Sequence, residues 1–352
     1  MPETNPLAQS SASAEVVSKT TLPIAGLQVD IYGLSELPAN ATSISCLWLH
    51  HPRLRTKDMM AYIANASLSA FHSSSTAPTT RGLIAVAFDQ RNHGSRIIDP
   101  VGNESWKKGN KTHAQDMFGT VSGTMLDTTH LLDALEGYLF GAGDGPGAAA
   151  GGQQRRIDQN MVLGISLGGH SAWQLMFAEP RVNAGVMVIG CPDYMNIMQS
   201  RAELEKLQTS TADNKAMFLG SKDFPDALIA ACKKYDPKGI LFGTRPISSP
   251  VPASEQDRIR PLLDSKIRGK RFQVLSGRID KLVPYSAAAP FLEFFKDAVG
   301  TWYKDGGVSV EDIVYDKTGH TFSDDMKKDA LRFILETVAV ADDSAKAASS
   351  KI

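Results

Sequence analysis

The residues of this chain best suited to covalent chemistry lie in Met161-Val162-Leu163-Gly164-Ile165-Ser166-Leu167-Gly168-Gly169-His170. A short apolar run of strand type enters Gly-x-Ser-x-Gly, and the residues behind it can open a helix, which is the pattern of a nucleophile elbow. Such a turn strains its serine and leaves no room for side chains two positions before and after it, and glycine stands at both, Gly164 and Gly168. Ser166 is therefore expected to stand exposed at the top of a sheet. The N–H of Leu167, first in the helix that follows, would point to where an oxyanion forms. An ordinary glycine-rich turn has the same appearance, so the serine needs partners before it counts as a nucleophile.

A serine hydroxyl attacks only when a base takes its proton, and the base needs a carboxylate to fix its tautomer and stabilise its charge. Asp280 closes Leu275-Ser276-Gly277-Arg278-Ile279-Asp280, in the loop after an apolar run. His320 follows Gly319 after the next run, Val308 to Tyr315. Both positions are the C-terminal ends of expected strands, where open α/β sheets gather their ligands. Of the eight histidines, only His320 lies both beyond Asp280 and directly after an expected strand. Either residue alone could be an ordinary turn residue. In the order Ser166, Asp280, His320, each at a strand end, they predict a catalytic triad.

Positioning these groups requires alternating strands and helices. A hairpin is expected over Val16 to Tyr32, a strand over Ser43 to His50 and a helix from Thr56 to Phe71, with Thr56 as its N-cap. A strand buried on both faces follows from Gly82 to Phe88, then a helix carrying Met125, Leu131, Leu132, Leu135 and Leu139 between Met117 and Phe140. After a low-complexity loop, Gly141 to Gly152, come the elbow strand, its helix and a strand over Ala184 to Ile189. The rhythm then breaks into helical pieces over about 193–265, which read as a small helical insertion, or lid, above the sheet. It resumes with strands at Arg271 to Leu275 and Val308 to Tyr315 and a final helix from about Ser323 to Val340. The expected organisation is a disordered tail over 1–14, one α/β domain over 15–342 and a flexible tail over 343–352.

Lys+Arg 37 against Asp+Glu 38 leaves a net charge of −1, which supplies no bulk footprint for nucleic acid. No stretch approaches 18 apolar residues in a row, so no membrane span is expected, and the first residues do not read as a secretory signal. Cys46, Cys191 and Cys232 are far apart and odd in number, arguing against a disulfide framework or a zinc site and for a reducing compartment. His50, His51 and His93 share their spacing with no carboxylate or cysteine, and neither a Walker loop nor a dinucleotide fingerprint is present, so neither metal nor cofactor is expected. The terminal Ser350-Lys351-Ile352 resembles the peroxisomal address Ser-Lys-Leu, making an import receptor a candidate partner and the expected location cytoplasmic or peroxisomal.

Gly164-Ile165-Ser166-Leu167-Gly168-Gly169-His170, Gly277-Arg278-Ile279-Asp280-Lys281-Leu282-Val283-Pro284 and Gly319-His320 resemble the nucleophile, acid and base segments of the α/β-hydrolase superfamily. The resemblance extends over about residues 16–340. The Gly-Gly-His ending is similar to dienelactone-hydrolase-like and prolyl-oligopeptidase-like esterases, including fungal members. It implies a mostly parallel sheet flanked by helices and hydrolysis of an ester, thioester or lactone through an acyl-enzyme. Members usually carry His-Gly-x after the third strand, the N–H of x being the second oxyanion donor. Aligning His50 puts Pro52, which has no N–H, at x; aligning His51 makes the Arg53 N–H the donor, and the second register is preferred. Asp89 to Gly94 resembles the superfamily's Asp-x-Arg-x-x-Gly turn, whose role is structural. Met195, Ile197 and Met198 in the insertion are expected to wall an apolar pocket for the acyl substrate. The rival readings are an acyltransferase of secondary metabolism with the same triad and a hydrolase-fold binding protein without catalysis.

Overall fold

The computed structural model describes residues 5–7, 15–74, 80–141, 145–148, 154–211 and 217–349, with side chains as far as 341. The strands are β1 (Lys19–Ile24), β2 (Leu27–Tyr32), β3 (Ser43–His50), β4 (Arg81–Phe88), β5 (Arg156–Ile165), β6 (Val182–Val188), β7 (Arg271–Gly277) and β8 (Ser309–Tyr315). They form one sheet in the order β1-β2-β4-β3-β5-β6-β7-β8. β1 and β2 pair as an antiparallel hairpin and β2 meets β4 antiparallel, while every later pairing is parallel. The register sets His50 beside Gly164, so the end of β3 adjoins the serine turn.

Parallel strands need crossovers, and helices supply them on both faces. The helices are α1 (Ala61–Ser73), α2 (His113–Phe140), α3 (Leu167–Ala178), α4 (Tyr194–Leu204), α5 (Asp226–Tyr235), α6 (Pro237–Phe242), α7 (Ala253–Lys266), α8 (Tyr285–Gly300) and α9 (Asp324–Ser349). α1 and α9 cover one face through Ile63, Leu68, Phe71, Met326, Phe333 and Ile334. α2, α3 and α8 cover the other, where Trp173 stacks on Phe272 and meets Phe291 and Phe295 edge-on. Central strands covered on both faces are apolar throughout: all eight residues of β4 are buried.

β5 begins at Arg156, soon after the low-complexity loop, and its first residues are polar yet partnered. Gln159 accepts from Ser45 Oγ and donates to the Thr337 carbonyl, and Asn160 accepts from Trp48 Nε1. α9 continues to Ser349, where a flexible tail was expected from 343, since its Ala-rich end favours helix. The expected N-terminal tail holds an ordered piece: Leu7 is buried, and the Pro6 carbonyl accepts from Phe322 N–H at 2.7 Å and Thr321 Oγ1 at 3.1 Å. Ser350-Lys351-Ile352 lies outside the described residues.

The insertion expected over about 193–265 carries four helices among its described residues. Its helices α4 to α7 join the principal core, and Met195, Ile197 and Met198 are buried there with Phe218, Phe224 and Leu228. Apolar side chains at helical spacing found the core rather than a ligand, since core burial removes more of their surface from water.

Candidate active site

Ser166 occupies the junction of β5 and α3 with φ 55° and ψ −111°, a conformation that costs a non-glycine residue energy and is held by its surroundings. Its N–H donates to the Val188 carbonyl at 2.9 Å, and its own carbonyl accepts from His170 N–H at 3.1 Å. A Cβ at Gly164 would collide with the Gly168 carbonyl, and one at Gly168 with the His50 carbonyl. The glycine requirement therefore comes from backbone approaching backbone, where nothing can swing aside.

The three residues singled out by order and position meet. Ser166 Oγ lies 2.9 Å from His320 Nε2, and His320 Nδ1 lies 2.8 Å from Asp280 Oδ2. The other oxygen of Asp280 accepts from the N–H groups of Leu282 at 2.8 Å and Val283 at 2.9 Å. The loop after β7 thus fixes the carboxylate, and the carboxylate fixes the imidazole. Asp280 and its loop are close to the base loop as well, since Ile279 N–H donates to the Thr318 carbonyl.

The serine opens into a cavity of about 40 Å³ lined by Pro6, Arg53, Met117, Leu167, Arg201 and Leu282, among others. As the first residue of α3, Leu167 has no intrahelical acceptor for its N–H. Pro52 and Arg53 both line this cavity. His51 is buried, its Nε2 accepting from Gln90 N–H at 3.0 Å and its Nδ1 donating to the Pro52 carbonyl at 2.8 Å, so it ties the β3 exit loop down.

The cavity lining departs from the expected apolar pocket. Arg201, on α4, is the insertion's contribution, and Arg53 and Arg55 come from the loop after β3. Desolvation lowers the Arg53 pKa to about 9, with the Arg201 charge acting in the same direction. Burial also lowers Arg201. His170, expected only as part of the elbow, lines the cavity too, and burial lowers its pKa to about 4. Neither Arg201 nor Pro6 could be found from the sequence, because a lone arginine in a helix and a proline in a polar tail carry no signal of their own.

The Asp89 to Gly94 turn is structural. Asp89 accepts from the N–H groups of Lys57 and Ser95, while Arg91 pairs with Asp127 on α2. Among the described residues, no cluster of three or more His, Cys, Asp or Glu could hold a metal ion, and no helix is long and apolar enough to cross a membrane.

No protein-family model and no curated protein matches the sequence. Solved structures do resemble the fold. TT1662 from Thermus thermophilus is 18% identical, with a TM-score of 0.54 over 92% of this chain and 98% of that one. Acetyl xylan esterase 1 from Thermoanaerobacterium is 14% identical, with a TM-score of 0.47 over 93% of this chain and 86% of its own. The Pyrococcus furiosus esterase Pf2001 is 13% identical, with a TM-score of 0.47 over 94% and 98%. Strand order, the antiparallel second strand, the serine turn after β5 and the flanking helices together make this chain a protein of the α/β-hydrolase fold.

Proposed function

We propose that the protein is a serine hydrolase that cleaves a carboxylic ester, thioester or lactone through an acyl-enzyme. The observation that carries this reading is the unbroken relay from Ser166 Oγ through His320 to Asp280, at 2.9 and 2.8 Å. Ser166 attacks the carbonyl carbon while His320 Nε2 takes its proton, and Asp280 stabilises the imidazolium that forms. The tetrahedral oxyanion is held by the N–H groups of Leu167 and Arg53. Its collapse breaks the bond to the leaving group, which receives the proton from His320. Water, deprotonated by the same imidazole, then attacks the acyl-enzyme and releases the acid and free Ser166.

The test is covalent labelling with a fluorophosphonate. Wild-type protein is expected to label at Ser166 and Ser166→Ala not at all. Absence of labelling in folded wild-type protein would remove the hydrolase reading. Turnover of p-nitrophenyl esters should accompany labelling and vanish in the same variant.

A further inference from the structure

The lining of the catalytic cavity specifies a charge. Arg53, Arg201 and Leu282 line both the cavity around Ser166 and an adjoining groove of about 550 Å³, so the two guanidinium side chains stand at the neck between them. Lys107, Lys108 and Lys281 lie along the same groove.

Arg201 has little in the protein to neutralise it. Its hydrogen bonds run to neutral acceptors, His113 Nε2 at 3.1 Å and the Leu282 carbonyl at 3.5 Å. His113 serves as an acceptor because burial, reinforced by the charges of Arg201 and Arg53, drives its pKa well below the usual value and keeps it neutral. The two carboxylates that act on Arg201 from a distance are Glu205 and Asp280. Asp280 is already committed to His320 and two backbone N–H groups, and Glu205 accepts from Lys107 N–H at 2.7 Å. The ion-pair partner of Asp280 is His320, at 2.8 Å. The Arg53 guanidinium donates to the Asn103 carbonyl at 2.7 Å; the Arg201 charge repels it, while Glu104 and Glu205 act on it in the opposite direction. The two half-buried cations repel each other across the neck, and an anion between them would relieve that repulsion.

We infer that the ester taken by this site carries a carboxylate, bound at the neck by Arg201 and Arg53 while its carbonyl meets Ser166; this rests on the serine hydrolase reading. Planar guanidinium groups match a planar carboxylate in two-point hydrogen bonding, and the nearby Glu205 suits the neck to a single negative charge. The cavity of about 40 Å³ at the serine leaves room for a small reacting group, so the charge and the scissile carbonyl are separated by a short chain or one ring.

The test compares pairs of a charged and a neutral ester of similar length, corrected for spontaneous hydrolysis. With the charge on the acyl side, p-nitrophenyl hemiglutarate is set against p-nitrophenyl valerate. With the charge on the leaving side, 4-acetoxybenzoate is set against its methyl ester. The charged member of at least one pair should have a kcat/KM higher by about tenfold or more, as expected of charge-assisted hydrogen bonds. That preference should shrink as salt is raised. In Arg201→Met the charged-to-neutral ratio should fall toward one, and Arg201→Lys should restore part of it. Ratios within threefold in both wild-type pairs, from protein that labels with fluorophosphonate, would overturn the inference and leave the hydrolase reading intact. Folded protein that neither labels nor turns over any of the four esters would overturn both. The wild-type pairs decide the matter even if the arginine variants fold poorly.

Discussion

Asp280 has two tasks that one substitution separates. Oδ1 holds the loop through Leu282 and Val283, and Oδ2 orients His320. Asp280→Asn keeps an oxygen for the loop but presents an N–H to Nδ1, forcing the imidazole to carry its proton on the nitrogen that must accept from Ser166. We expect kcat to fall by roughly 10³–10⁴-fold, while circular dichroism and the melting temperature stay near wild type; a loss under tenfold would remove Asp280 from the relay. Gly168→Ala acts through packing instead, because the added Cβ meets the fixed His50 carbonyl. It should lower stability by about 2–3 kcal/mol, read from the denaturant midpoint. Both residues were legible in the sequence, since the serine turn has a fixed glycine pattern and strand ends fix the order of the partners. Arg201 was not: its significance comes from α4 folding back beside the loop after β3, a contact between residues far apart in the chain that no local pattern records.

At the scale of elements, the wall of the site comes from segments that sequence patterning assigned elsewhere. The insertion was expected to wall an apolar pocket, yet its methionines are committed to the core and α4 turns Arg201 toward the serine. Helical spacing identified which side chains are buried but not which neighbour buries them. The N-terminal segment shows the opposite failure. Its polar composition offered nothing to bury, yet Pro6 lines the cavity and its carbonyl accepts hydrogen bonds from the residues immediately after His320. Removing residues 1–14 should therefore widen the site on the side of the base. We expect the ratio of kcat/KM for p-nitrophenyl octanoate over acetate to rise by about tenfold, the scale on which apolar pockets discriminate chain length. An unchanged ratio would make Pro6 a bystander. The strands were the most legible elements, because runs buried on both faces are apolar throughout; the polar start of β5 lacks that pattern, and Gln159 and Asn160 find partners inside the protein.

For the molecule as a whole, the buried histidines predict how stability depends on pH. Burial lowers the pKa of His50 to about 3, His51 to about 4 and His170 to about 4, and His93 and His113 are also lowered by burial. In the unfolded chain each would titrate near the ordinary value of about 6.5. Between these limits the unfolded chain binds protons that the folded one does not, so stability is complete above about pH 6.5 and is lost as pH falls. Each fully engaged histidine contributes a slope of about 1.4 kcal/mol per pH unit. One group opposes them. Asp193 and Asp236 are buried together, and burial followed by mutual repulsion raises Asp236 well above the usual carboxylate range. The folded protein keeps a proton there that the unfolded chain releases above about pH 4, which adds stability as pH falls toward that value. Several histidines against one shared proton leave a net loss on acidification. The melting temperature should decline steadily from pH 7 to pH 4.5. His170→Gln, whose side-chain oxygen can still accept from Cys191 N–H, should make the decline shallower, and Asp236→Asn should make it steeper. Melting curves that stay flat across this range, or keep their slope in both variants, would mean that these histidines are protonated in the folded protein, and with them the tight closure of the sheet end around His50, His51 and the serine turn would be lost.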